Sequence, residues 1–149
     1  MINDTFQIVG DLRIKLRNIT TGEITVDRLE KNLVVNVGKS FIASRMAGNA
    51  SAVMGWMAVG TNNTAPSATD TTLNTELARV ATTVSGGTPS GNTVQYVGVY
   101  PAGVATGTLT EAGIFNASSA GTMLSRTTYS AINKGASDEM TITWVITVG

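Results

Sequence analysis

The chain of 149 residues contains no cysteine and no histidine. These two absences exclude disulfides, thiolate nucleophiles, histidine general bases and His/Cys zinc sites. Charge is scarce as well: 13% of residues are Asp, Glu, Lys or Arg, against about a quarter in ordinary soluble domains. Ten cations balance ten anions, so no broad field draws the chain to nucleic acid or to an anionic membrane. No apolar run approaches the ~20 residues that span a bilayer. The opening residues lack the cationic and apolar regions of a signal peptide. Two Trp, three Tyr and three Phe are few for a carbohydrate surface built on stacked rings. No cofactor and no metal are expected.

Polarity comes instead from 23 Thr, 11 Ser and 11 Asn, with 16 Gly. Threonine favours pleated, half-buried surfaces, and glycine serves the turns between them. Intrinsic disorder has the opposite signature, high charge with few apolar groups. The length fits one domain with a sizeable core.

Leu12, Ile14 and Leu16 alternate with Arg13, Lys15 and Arg17, the period of a half-buried strand. Thr20-Thr21-Gly22 reads as a turn and residues 23–27 alternate again, giving a hairpin. Asn36 as N-cap and Gly48 just beyond the end bracket a helix over residues 37–47, with Val37, Phe41, Ile42, Arg45 and Met46 on its buried face. Residues 52–59 read as a buried strand, 61–72 as a polar loop and 73–78 as one or two helical turns. Strands follow at 79–84, 93–100, 105–115, 122–130 and 139–148, with a turn from Ser85 to Asn92. In the last strand Met140, Ile142, Trp144, Ile146 and Val148 share a face. Short strands between Gly/Ser/Pro turns indicate an all-β fold. The expectation is a single sandwich or jelly-roll-like domain over 1–149: a hairpin arm (1–30) on a β-sandwich body (31–149).

Motifs that would carry chemistry fail on inspection. Gly38-Lys39-Ser40 resembles the end of a phosphate-binding loop, but Leu33 stands where that loop needs glycine. Of the close acidic pairs, Asp138 and Glu139 point to opposite faces of a strand, and Asp70 and Glu76 are split by a loop; neither suits glycoside hydrolysis. No Asp-x-Asp-x-Asp-Gly calcium loop and no Gly-x-Ser-x-Gly elbow occurs. A nucleophile assembled only in space stays open.

Charges therefore stand out where they are isolated. Glu76, Arg79, Glu111 and Arg126 lie in otherwise uncharged segments. They are either four ordinary surface residues, or Glu111 forms a structural ion pair with Arg79 or Arg126 that pins the long loop against the sheet. Seven of the ten cations fall in residues 1–45. Arg13, Lys15 and Arg17 make either a solvated strand face or a contact with an acidic neighbouring subunit. The two charge-poor loops, at Asn63 and at Gly87, are candidate partner contacts, because an uncharged polar loop can be buried without stranding ions.

One longer pattern joins these pieces. Trp56-Met57-Ala58-Val59-Gly60-Thr61 leads through Ala65-Pro66 to Asp70-Thr71-Thr72-Leu73-Asn74-Thr75-Glu76-Leu77-Ala78-Arg79, and Leu109-Thr110-Glu111-Ala112-Gly113-Ile114-Phe115 follows. This pattern, spanning roughly Leu33 to Val148, resembles small structural modules of tailed-bacteriophage virions. Such modules occur at the attachment end of tail-collar fibres and as short stand-alone virion proteins. The resemblance implies a non-enzymatic structural protein located in the virion, with other virion proteins and further copies of itself as partners. Without a shaft or tip sequence after Gly149, capsid decoration is the leading expectation. A tail, collar or baseplate component that anchors a fibre comes second, and a host-surface carbohydrate-binding β-module third.

Overall fold

The alternation that marks the first and last strands also places them side by side. The computed structural model describes residues 5–149. In it β1 (Ile8–Asn18) pairs with β9 (Asp138–Val148) antiparallel along its whole length. Leu12 stands opposite Trp144, Ile14 opposite Ile142 and Leu16 opposite Met140, and all six side chains are buried. Between these strands the chain forms β2 (Ile24–Val34), α1 (Asn36–Met46), β3 (Trp56–Gly60), β4 (Glu76–Ala81), β5 (Thr88–Ser90), β6 (Thr93–Tyr100), β7 (Gly107–Phe115) and β8 (Met123–Lys134). The nine strands make one sheet in the order β4-β3-β7-β8-β2-β1-β9-β6-β5.

This sheet curls until its halves face each other like a sandwich. The corner where β2 meets β8 is narrow, with only Leu33–Arg126 and Val34–Ser125 paired. On the opposite side the halves touch through a bridge between Thr82 and Gly98. There the Thr83 amide donates to the Val97 carbonyl at 2.8 Å. The core between the halves joins Leu12, Ile14, Ile142 and Trp144 to Met57, Val59, Leu109 and Ile114. Tyr100 crosses it, its hydroxyl donating to the Met57 carbonyl at 2.7 Å. A second, smaller cluster of Val35, Ala58, Leu73, Phe115 and Met123 lies under the loop between β3 and β4. The fold is all-β with one helix and an N-terminal hairpin, as the alternation predicts.

Four local expectations change. The hairpin is not an arm: it sits near the middle of the sheet, and the row Leu12, Ile14, Leu16 is core. Residues 1–4 of the expected arm lie outside the described residues. The helix begins one residue early, with Val35 at the N-cap position and no side-chain cap. Asn36 is its first residue, and the Asn36 amide donates to the Ala68 carbonyl. Phe41 and Ile42 pack on the core, but Met46 is 88% exposed. Closest contact comes instead at Gly38, where a Cβ would lie 2.1 Å from the Leu124 carbonyl oxygen. That close approach, not phosphate binding, accounts for the glycine of Gly38-Lys39-Ser40.

The segment 73–78 is no helix, because Glu76 to Ala81 pair with β3. Cross-strand pairing and the burial of Leu73 under the loop outweigh the weak local helical preference. Within the expected turn 85–92, residues Thr88 to Ser90 form a short edge strand on β6.

Two predictions follow from the packing. Deleting residues 1–30 removes β1 and most of β2, so the remainder should lose its cooperative thermal transition in circular dichroism; a folded remainder would refute the central role of the hairpin. Burial raises the pKa of Tyr100 well above 10.0, and that of Tyr129 in the same direction. The folded state thus retains protons that the unfolded chain releases near pH 10, so the tyrosine contribution to stability should be constant below about pH 10 and be lost as pH rises beyond it. Tyr100→Phe should flatten that alkaline fall in urea-melt midpoints measured from pH 8 to 11.

Candidate functional site

The candidate site is the outer side of the β3-β7-β8 sheet, where residues 61–75 fold back over it. Glu111 on β7 and Arg126 on β8 meet there, and both side chains are fully buried. The guanidinium donates to the Glu111 carboxylate from Nη2 at 2.9 Å and from Nε at 3.1 Å. Its remaining donors go to the loop: Nη1 to the Asp70 carboxylate at 3.0 Å, and Nη2 also to the Thr64 carbonyl at 3.0 Å. The Glu111 carboxylate in turn accepts from the loop amides of Thr75 at 2.8 Å, Asn74 at 3.1 Å and Asn62 at 3.4 Å. One ion pair thus holds both ends and the middle of a fifteen-residue connection.

Two glycines make room for it. Gly60 stands opposite Glu111, and a Cβ at Gly60 would fall 2.5 Å from the carboxylate and 2.2 Å from the Thr75 carbonyl oxygen. Gly113 stands opposite Arg126, and a Cβ there would press on Leu73 at 3.0 Å. The pattern of Gly60, Leu73, Glu111, Gly113 and Phe115 therefore has one physical meaning. It is a clamp in which a carboxylate and an apolar plug seat a long loop.

Arg79 belongs to a second clamp rather than to Glu111. Its guanidinium forks onto Glu76 at 2.7 and 2.9 Å and lies 3.8 Å from the centre of the Phe115 ring. Nη1 donates to the carbonyls of Ala117 and Ala120 at 2.8 and 2.9 Å. Those bonds hold the turn after β7, where Ala120 carries a φ of 50°, a conformation costly for a residue with a Cβ. Of the sequence candidates, Glu111 and Arg126 come together while Arg79 stands apart from them. Asp70 is the member of the clamp that sequence reading missed. Its signal was present: an acidic residue beside a turn in a loop otherwise free of charge.

The remaining candidates separate in the same way. Arg13 forks onto Asp27 at 2.7 and 2.8 Å on the exposed face, and the hydrogen bond holds the Asp27 carboxyl below its ordinary value. Arg17 approaches Glu139 at 3.6 Å. Lys15 lines a shallow depression with Arg13, Thr141 and Thr143. These three cations form a row on the outer face of β1. Asn63 is exposed on the clamped loop. Gly87 is not a free surface position: its φ is 72°, and a Cβ would meet Val94 at 2.7 Å and Tyr96 at 2.8 Å. A side chain at 87 would report packing on β6 before any partner contact.

Sequence reading also missed Lys134, which is buried, with Nζ donating to the carbonyls of Pro101 and Asp138 at 3.1 and 2.5 Å. Burial lowers its pKa. Among the described residues no cluster of three acidic side chains is placed to hold a metal ion, and no helix is long and apolar enough to cross a membrane. The chain matches no protein-family model, no curated protein and no solved structure.

Removing one partner from a buried ion pair leaves the other charge in a low dielectric, at a cost on the order of 3 kcal/mol. Glu111→Gln should lower stability by about that amount and speed hydrogen exchange at the Asn74 and Thr75 amides. Unchanged melting and exchange would show that the clamp is not structural.

Proposed function

We propose that the protein is a non-enzymatic structural component of a tailed-bacteriophage particle, a decoration protein bound to the capsid shell in many copies. The observation that carries the reading is the loop clamp. Several of the residues on which the resemblance to phage virion modules rests, Gly60, Asp70, Leu73, Glu111 and Gly113, help seat the loop of residues 61–75 on the sheet.

The physical character of the clamp supports a docking role. Its charges are consumed internally, on Asp70, Glu111, Arg126 and the loop backbone. What the loop presents outward is uncharged: Thr61, Asn63, Thr64 and Ala65 are exposed. Such a surface can be covered by a neighbour without desolvating ions, and it is held in one conformation before contact, which lowers the ordering cost of binding. Modest contacts of this kind add when many copies engage one particle. On the opposite half of the sandwich Arg13 and Arg17 already face Asp27 and Glu139, so among the described residues Lys15 is the member of that row left for an acidic neighbour. Further copies of the chain and the major capsid protein are the partners of this reading, and the virion is its location.

The test is the position of the chain in a particle reconstruction. Hundreds of copies on the shell are expected; a handful at the neck or tail would instead make it a collar or fibre-anchoring component. Turnover of polysaccharide or peptidoglycan by the purified protein, abolished by substituting one acidic residue, would overturn the non-enzymatic reading.

A further inference from the structure

Helix α1 meets the body of the protein through Gly38, which abuts the Leu124 carbonyl, and through Phe41 and Ile42, which pack on the core. Beneath its second half a cavity of about 200 Å³ lies between the helix and the ends of β6, β8 and β9. Phe41 and Ile42 wall it from the helix, and Met54, Leu124, Ile146 and Val148 wall it from the body. Met54, Leu124 and Ile146 are almost fully buried, so only a body slim enough to enter can touch them. Along the flank of the helix Ile42 also lines a second hollow, of about 460 Å³, with Ile8, Val9, Lys39 and Met46.

Apart from Arg45 and Tyr96, every side chain that lines the smaller cavity is apolar. Both exceptions are donors with capacity to spare. Tyr100 and Tyr129 give their hydroxyl hydrogens to backbone carbonyls, whereas the hydroxyl of Tyr96, a residue only 7% exposed, has no partner among the described residues. Arg45 uses only Nη1 within the protein, on the carbonyls of Asn49 and Ser51 at 3.0 and 2.7 Å. Its guanidinium lies 6.0 Å from the centre of the Phe41 ring that walls the cavity. Among the described residues neither Arg45 nor Lys39 forms an ion pair. Between Glu30 and Asp70 the chain holds Lys31, Lys39 and Arg45 and no acid, so the positive charge over this cavity has no local answer.

We propose that the cavity beneath α1 binds a small monocarboxylate, its apolar body held between helix and sheet and its carboxylate oxygens on the Arg45 guanidinium and the Tyr96 hydroxyl. Size selects the body. An apolar cavity of about 150 Å³ takes up benzene, so 200 Å³ admits one ring or a short alkyl chain. Charge selects the head. A cationic head would meet Arg45, and a neutral hydrocarbon would leave both donors unanswered. A carboxylate accepts from both at once, and charge-assisted bonds of this kind are about twice as strong as neutral ones. An apolar pocket with a few convergent polar groups is the usual form of a small-ligand site. The proposal stands apart from the particle assignment, since it concerns a cavity beneath α1 and not the loop clamp.

The probe is octanoate, with octanol and octylamine as controls, titrated into the full chain and followed by methyl NMR. Octanoate should bind saturably and shift the methyl signals of Ile42, Leu124, Ile146 and Val148. Octanol should bind about fivefold more weakly or worse, and octylamine should not bind. Arg45→Gln should weaken octanoate by a similar factor while octanol binding stays, which also shows that the cavity survives the change. Val148→Phe, filling the cavity, should abolish binding of both at an unchanged melting temperature; the ligand series on the natural chain decides the matter even if that variant fails to fold. No saturable binding at millimolar octanoate would overturn the proposal. So would equal binding of octanol, or shifts confined to methyl groups outside the cavity. A concentration-dependent dimer that shifts the same methyl signals without ligand would assign the face to a second copy. Cosedimentation with phosphatidylglycerol vesicles in the absence of octanoate binding would assign it to a membrane surface. Either result equally ends the proposal.

Discussion

A buried carboxylate facing a buried guanidinium organises one whole side of this protein. Glu111 and Arg126 are both inaccessible to solvent, and neither would tolerate that position alone, because an isolated charge in a protein interior costs several kcal/mol. The loop of residues 61–75 resolves the problem for both. It brings three amides to the carboxylate, and a carbonyl and the Asp70 carboxylate to the guanidinium. Loop and ion pair therefore depend on each other: without the loop the charges are open to water, and without the charges the loop has little apolar weight beyond Leu73 to hold it.

That dependence fixes several otherwise unrelated residues. Gly60 and Gly113 are glycines because the carboxylate and Leu73 occupy the space of their missing side chains. Phe115 and Arg79 then form a neighbouring unit, the ring beneath the guanidinium, which steadies the following turn through the carbonyls of Ala117 and Ala120. Both arginines are spent on backbone carbonyls as well as on carboxylates, a use that suits the planar, multi-donor guanidinium better than lysine. The low overall charge of the chain reads differently in this light. Most of the few ions in its second half fasten loops, Glu139 beside Arg17 on the outer face of β9 excepted.

The two sides of the sandwich differ in how complete they are. At one meeting of the halves, Thr82, Thr83, Val97 and Gly98 are joined by backbone hydrogen bonding. At the other, β2 and β8 share two residue pairs and then separate. The inward row of β2 changes with the separation: Val34 is core, while Asn32, Glu30 and Arg28 are polar and half-buried.

By itself the sequence determined the class of fold. Period-two alternation in Ile8–Asn18 and Asp138–Val148 specifies strands with one buried face, because a pleated strand sends alternate side chains to opposite sides. Gly48, at a φ of 74°, ended the helix where a residue without a Cβ was expected. The isolation of Glu111 and Arg126 among uncharged neighbours was also legible, since such charges need a reason to be there. Which arginine answers Glu111 was decided only in three dimensions. Register sets Gly113 opposite Arg126 and so puts Arg126 diagonal to Glu111, whereas Arg79 on β4 turns to Glu76. Local pattern could not reveal that the charged hairpin lies at the centre of the sheet, because alternation reports that a face is buried and not what buries it. The answer came from β9, more than a hundred residues away, which pairs along β1 and extends its apolar row, and from Met57, Val59, Leu109 and Ile114 of the facing half, which cover that row. For the same reason segment 73–78 became loop and strand rather than helix: pairing with β3 and the seat for Leu73 exist only once the sheet has formed.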